Sequence, residues 1–235
     1  MTQRQAIENV WWTESVQDLM SGYQNRIRLQ FLGPGHLPSE PFHALKQIHS
    51  KRVVESSEAT LSGEGGSQVE ADGLYTRSCG ETLCIKTADC LPLVLWCDES
   101  LFLSVLHAGW RGLFGGILEE AIKIHLSAGG RAESLHLITG PCISMAKFEV
   151  GPELLLSLSQ TGLSLTDQNL ALEKGVGDRW HIDLAMVAVL QAIKSGLDSK
   201  KLSVLRSCTY TKETWNSYRR TGCASPSNLT LAALL

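Results

Sequence analysis

The sequence predicts a mixed fold, α/β or α+β, in which a mixed β-sheet layer is flanked by helices. Three observations predict it. Residues 91–97 and 101–106 are short apolar runs separated by the polar turn Asp98-Glu99-Ser100, the pattern of two buried strands in a hairpin. Residues 26–32 alternate, with Ile27, Leu29 and Phe31 on one face, as a half-buried strand does. Residues 113–127 carry Phe114, Ile117, Leu118, Ala121 and Ile122 at helical spacing, with Glu119, Glu120 and Lys123 outward.

The remaining elements follow in order. Residues 1–22 are poorly periodic, and Gly33-Pro34-Gly35 ends the first strand. Residues 43–55 read as one extended segment carrying His49, and residues 56–69, with Gly63, Gly65 and Gly66, as a flexible surface loop. Residues 70–76 resume as a turn and short strand, and 83–87 as another strand. Ala128-Gly129-Gly130 closes the long helix, whose His125 falls on an exposed or flanking face. Residues 134–139 are a strand, 140–143 a turn, 152–159 a helix and 161–177 a loop-rich stretch. A short strand at 180–182 precedes a helix over 184–195, capped by Asp183. Strands at 202–206 and 229–235 finish the chain. No repeat or linker interrupts the sequence, so residues 1–235 are expected to form one domain.

Composition sets the outer bounds. The 235 residues are 43% hydrophobic and 19% charged, ordinary values for a chain with a substantial core. A net charge of −3 argues against a general nucleic-acid binder and leaves room for a small anion held by local arginines. The longest apolar runs are too short to span a membrane, and the first residues lack a basic segment followed by an apolar one. Seven cysteines, odd in number and without a CxxC pair, suit reduced thiols, and a cytoplasmic location is expected.

The chemistry concentrates at strand ends. A hairpin turning at 98–100 brings Cys90 and His107 together, and His49 also lies near the end of a strand-like segment. One thiolate and two imidazoles suit a zinc ion that keeps its fourth position open; a buried core thiol and a metal-free Cys–His nucleophile are the competing readings. Asp89 either orients a histidine or carries a proton, or is a solvated turn carboxylate. His107-Ala108-Gly109-Trp110-Arg111-Gly112 leads into a helix, where N–H groups and Arg111 suit an anion; a plain turn with Trp110 in the core is the alternative. Arg219 and Arg220 pair two cations suited to phosphate or carboxylate, or are ordinary surface arginines. Cys142, in Gly140-Pro141-Cys142, reads as a structural turn residue.

Several blocks, in order, carry a resemblance. They are Gln47-Ile48-His49-Ser50, residues 70–76 (EADGLYT), Thr87-Ala88-Asp89-Cys90-Leu91-Pro92 and His107-Ala108-Gly109-Trp110-Arg111-Gly112. Gly140-Pro141-Cys142-Ile143 with Phe148-Glu149-Val150-Gly151, Cys208-Thr209 and Ser217-Tyr218-Arg219-Arg220 follow. The chain resembles the YfiH-like laccase-domain family, also described as multifunctional purine nucleoside phosphorylases or polyphenol oxidases. The resemblance implies a YfiH-like fold and a zinc site on His49, Cys90 and His107. It implies phosphorolysis of adenosine, inosine and methylthioadenosine, with adenosine deamination as a side activity. Asp89 and Cys90 are the catalytic candidates, and Arg111, Arg219 and Arg220 the substrate-binding ones. Purine nucleoside and phosphate are the expected partners, with no nucleic acid or membrane, for a monomer or homodimer.

Other activities implied by the resemblance are removal of a wrongly placed serine from a peptidoglycan precursor by amide hydrolysis, and copper-dependent phenol oxidation. Seven scattered histidines offer no multicopper set, although three ligands suit one copper. A metal-binding domain without activity is the non-enzymatic alternative. Two departures from the family pattern stand out. Residues 1–40 are atypical and lack T-x-R-x-G-G, and Arg220 is followed by Thr221-Gly222-Cys223 rather than by an acidic residue and T-G-R. Neither touches the metal set.

Overall fold

The predicted hairpin forms at the centre of the molecule. In the computed structural model, which describes residues 3–23, 25–62, 67–97 and 99–235, strand β8 (Leu91–Cys97) pairs antiparallel with β9 (Leu103–Ala108). Both strands are buried throughout, which explains their largely apolar character, with Ser104 and His107 the polar members of β9. Leu91, Leu93 and Leu95 enter one hydrophobic cluster, while Val94 and Trp96 enter a second on the opposite face. The register sets Pro92 opposite His107 and Leu91 opposite Ala108, so Cys90 emerges beside the end of β9.

A seven-stranded sheet extends from this hairpin. Its order is β1 (Trp11–Thr13), β14 (Leu202–Leu205), β10 (Leu135–Thr139), β8, β9, β6 (Gly73–Thr76) and β4 (Val53–Glu55). The β1·β14, β10·β14 and β4·β6 pairs are parallel and the rest antiparallel. A five-stranded sheet in the order β2 (Ile27–Leu32), β15 (Asn228–Leu234), β7 (Leu83–Thr87), β3 (His43–Ala44) and β5 (Thr60–Leu61) packs on one face. Leu29, Phe31, Ile85 and Leu234 of that sheet share a core with Val94, Leu103, Val105 and Ile138.

Helices α3 (Trp110–Phe114), α4 (Ile117–Ser127) and α7 (Leu184–Lys194) close the other face through Leu113, Leu118, Ile122, Val187 and Leu190. The mixed α/β class is as expected, but one flank of the main sheet is a second sheet rather than helices. The smaller elements are α1 (Gln3–Ile7), α2 (Val16–Ser21), α5 (Pro152–Ser159), α6 (Leu165–Leu170) and α8 (Tyr218–Thr221), with a three-stranded sheet β11 (Glu149–Val150), β13 (Trp180–Ile182) and β12 (Leu172–Lys174). Among the described residues no helix is long and apolar enough to cross a membrane.

Several local expectations are corrected. The poorly periodic start holds α1, β1 and α2, elements too short to carry a period. The extended segment over 43–55 splits into β3 and β4, and His49 stands between them with φ 62°. The single helix over 113–127 is two, because Gly116 takes φ 94° between α3 and α4. His125 is buried rather than exposed, and 161–177 contains α6 and β12. The loop over 56–69 includes β5. Its glycines at 63, 65 and 66, and Asp98 of the hairpin turn, lie outside the described residues. Asp183 caps α7 as predicted, accepting from the Met186 N–H, and it also receives Arg206 Nη1 at 2.6 Å.

Candidate metal centre

His49 sits in a backbone conformation that histidine seldom adopts, and a buried carboxylate pins it there. Its φ of 62° lies in the left-handed region. Asp72, fully buried at the start of β6, accepts three successive backbone N–H groups: Ile48 at 3.2 Å, His49 at 2.9 Å and Ser50 at 2.6 Å. The Ser50 hydroxyl adds a fourth bond at 2.8 Å. A fifth comes from across the site, where His107 Nδ1 lies 2.8 Å from Asp72 Oδ1. One carboxylate therefore shapes the loop of one histidine and fixes the ring of the other. With Nδ1 of His107 engaged, its Nε2 is left to face the pocket.

Cys90 completes the group from a second strained corner. Asp89 before it takes φ 89°, turning the chain between β7 and β8. Cys90 Sγ lies 3.9 Å from His49 Nε2, and the two imidazole rings stand 4.8 Å apart at 73°. Single ligand atoms of His49, Cys90 and His107 all lie within 4.8 Å of one another. Bond lengths of about 2.0–2.1 Å to nitrogen and 2.3 Å to sulfur put tetrahedral ligands roughly 3.3–3.6 Å apart. The trio thus needs only a small contraction to close on an ion, and the donor set fits a metal.

Gly109 belongs to the same construction. A Cβ there would meet Cys90 Sγ and His49 Cδ2, each at 3.0 Å. Gly109→Ala is therefore expected to push two ligands outward and weaken metal binding about tenfold, as disturbance of a ligand's surroundings does. Competition against a chromophoric chelator measures this, and an unchanged affinity would contradict the close packing.

The titration of the group is set by its own members. Burial pushes the Cys90 thiol up, but hydrogen bonds and charge from His107 and His49 outweigh it and bring the thiol down to about 7. Burial likewise disfavours the imidazolium of His107, yet its bonds to Asp72 and Cys90 raise it to about 9. A metal must displace these protons. Between pH 9 and 7 the proton on His107 competes, and below 7 the one on Cys90 competes as well. The apparent metal Kd is expected to weaken about tenfold per pH unit in the upper range and about a hundredfold per unit below it. A flat profile between pH 8 and 6 would exclude this ligand set.

The trio opens on a pocket of about 690 Å³ whose wall also includes Lys86, Trp110, Phe148 and Tyr218, a size that admits a small ligand. Arg111 and Arg219 line it too, whereas Arg220 does not. Arg111 stacks its guanidinium over Trp110 at 4.3 Å and makes no ion pair among the described residues. Arg219 lies against Phe148 and donates to the Lys147 and Glu149 carbonyls. Arg220 instead donates to the carbonyls of Thr209, Tyr210 and Trp215, bracing the segment before α8. Asp89 lines the pocket and accepts from Thr209 Oγ1 at 2.6 Å and the Arg219 N–H at 2.7 Å.

Three features escaped the sequence reading. Asp72 lies within the EADG block but drew no role, because its work is to receive N–H groups from a remote loop. Phe148 and Tyr218 come from segments far from the metal ligands. Lys86 lines the pocket from β7, and its charge in the otherwise uncharged run LCIKT gave the signal: it is the one exposed residue of that strand.

Fold and site define a mixed α/β protein in which a His–Cys–His group able to hold a metal lines a small-molecule-sized pocket. The model of the multi-copper polyphenol oxidoreductase laccase family matches residues 17–229, and the chain belongs to that family. It is 33% identical to the purine nucleoside phosphorylase YfiH of Escherichia coli over 199 residues, covering 84% of this chain and 74% of that one. It is 28% identical to adenosine deaminase RL5 from an unknown prokaryotic organism, over 77% of this chain and 70% of that one. The crystal structure of Neisseria meningitidis protein NMB0706 superposes with a TM-score of 0.69 at 29% identity, covering 81% of this chain and 73% of that chain.

Proposed function

We propose that this chain is a zinc-dependent purine nucleoside phosphorylase acting on adenosine, inosine and methylthioadenosine, with adenosine deamination as a side activity. The observation that carries the reading is the meeting of His49, Cys90 and His107 at the floor of a pocket whose wall holds both cations and aromatic faces. Relatives named as purine nucleoside phosphorylases and as an adenosine deaminase supply the substrate class. A zinc ion held by the trio would supply electrophilic polarisation of a phosphate or water oxygen.

The chain's own residues do the rest. Trp110, Phe148 and Tyr218 offer faces on which a purine stacks. Arg111, without an ion pair among the described residues, and Lys86 neutralise phosphate as it approaches the anomeric carbon. Arg219, tethered to two carbonyls, contributes charge from a fixed position. Asp89, held by Thr209 and the start of α8, carries the proton that makes the purine a better leaving group. Arg220 acts by bracing the Thr209 segment rather than by touching substrate. The metal, the reaction and a cytoplasmic setting with small-molecule partners belong together in this reading.

The test is a product assay of the zinc-loaded protein with adenosine, inosine or methylthioadenosine, with and without phosphate. Free base and ribose 1-phosphate (or its methylthio counterpart) that depend on phosphate are the expected result. Equal base release without phosphate would overturn phosphorolysis, and no release from any nucleoside would overturn the purine reading.

A further inference from the structure

Two of the cysteines lie outside the metal group and side by side. Cys142, in the turn after β10, and Cys208, beyond β14, form a parallel β-bridge. The Cys142 N–H donates to Ser207 O at 3.3 Å, and the Thr209 N–H donates back to Cys142 O at 3.0 Å. Paired strands run about 4.8 Å apart, within the roughly 4.4–6.8 Å between Cα atoms that a disulfide spans. Residues paired in this way carry their side chains on the same face of the ladder. Both cysteines line one small cavity of about 60 Å³, together with Ser144, Asp183 and Arg206. That is room for a water-sized reagent. Neither thiol has a part in the proposed reaction.

We propose that Cys142 and Cys208 are a peroxide-sensitive thiol pair that closes to an intramolecular disulfide beside the metal pocket. Cys208 is the attacking partner. It is half-buried where Cys142 is buried, and the Ser144 N–H lies 3.3 Å from its sulfur, placed to stabilise a thiolate. Burial raises both thiols, but hydrogen bonds from Ser144 and Thr211 bring Cys208 below its ordinary value, whereas Cys142 stays raised. The Cys208 sulfur attacks one oxygen of hydrogen peroxide. The O–O bond breaks, a sulfenic acid forms, and the departing hydroxide takes up a proton as water. The Cys142 sulfur then attacks the Cys208 sulfur. The S–O bond breaks, and the leaving hydroxide takes the Cys142 proton as a second water. Two thiols lose two electrons, and one peroxide becomes two waters.

The crosslink bears on the site through Asp89. The Ile143 N–H, one residue from Cys142, donates to Asp89 O at 3.0 Å, and Thr209, one residue from Cys208, donates to the Asp89 carboxylate. Closing the disulfide ties together the two segments that hold Asp89.

The experiment uses the full chain, metal-loaded to mask Cys90, with the exposed Cys79 and Cys223 changed to serine. Hydrogen peroxide is added, and free thiols are titrated in denaturant before and after. Loss of two thiols, with a non-reduced peptide joining residues 142 and 208, is the expected result. In Cys142→Ala the Cys208 sulfenic acid is expected to persist and to react with dimedone. Sulfinic or sulfonic acid on Cys208 with the Cys142 thiol intact would overturn the proposal. So would a disulfide to any other cysteine, or no dimedone adduct in the variant. None of these readouts depends on which reaction the metal pocket performs.

Discussion

Cys90→Ala is expected to abolish stoichiometric metal retention and to lower phosphorolysis at least about a thousandfold. Loss of one of three protein ligands leaves two imidazoles, too few to hold a divalent ion through purification. The electrophilic stabilisation a metal gives a developing charge amounts to several kcal/mol, and each 1.36 kcal/mol is about tenfold in rate. Structural damage should be small, because Cys90 stands at the end of β8 facing the pocket and not inside either hydrophobic cluster. Metal analysis of the purified variant, alongside its thermal transition without added metal, separates the two effects. A variant that keeps one equivalent of metal, or keeps its activity with none, would remove Cys90 from the ligand set.

Two of the candidate ligands were legible because Cys90 and His107 stand at neighbouring ends of β8 and β9. Largely apolar runs told of β8 and β9, and a hairpin of two such strands leaves little freedom for Cys90 and His107. His49 was harder, since residues 43–55 look extended and only the structure reveals the left-handed turn at 49. That turn depends on Asp72, whose role is set by backbone N–H groups more than twenty positions away, and no local pattern encodes such a partnership. The same limit explains the second sheet. Strand β15 pairs with β2 and β7, segments separated from it by most of the chain, so the layer facing Val94 and Trp96 could not be read from either end alone. The helix broken at Gly116 was missed for the opposite reason: apolar spacing runs through 113–122 without regard to one residue's φ.

The arginines divide along similar lines. Side by side in sequence, Arg219 and Arg220 read as a pair of cations. At the start of α8, consecutive side chains diverge, and the two guanidinium groups reach different carbonyls. Arg111, before α3 turns away, keeps its charge in the pocket because its planar head rests on Trp110.

Asp72→Asn is expected to lower the stability of the metal-free protein by about 3–5 kcal/mol, the range for breaking a buried charged pair, and to weaken metal binding by about 10–100-fold. The amide keeps the shape of the carboxylate but offers one acceptor oxygen for five donors, from Ile48, His49, Ser50 (twice) and His107. At least one backbone N–H of the His49 turn then faces an NH₂ group, and the strained φ loses its restraint. The sign with pH follows from the carboxyl itself. Burial raises Asp72, but bonds from His107 and Ser50 outweigh it and hold it below its ordinary value. Its contribution is therefore complete above the unfolded carboxyl's range and lost only as pH falls through the lower, folded value. His107, raised to about 9, has the opposite sense: its share is complete below the ordinary imidazole value of 6.5 and fades as pH rises through 9. The gap between wild type and Asp72→Asn should accordingly be widest in weakly acidic to neutral solution and narrow above pH 9. Denaturant unfolding across that range measures it, and the visible spectrum of the cobalt-substituted protein reports whether the histidines still meet the metal. Equal stability at pH 6 with an unaltered cobalt spectrum would show that the loop of His49 holds its turn without Asp72.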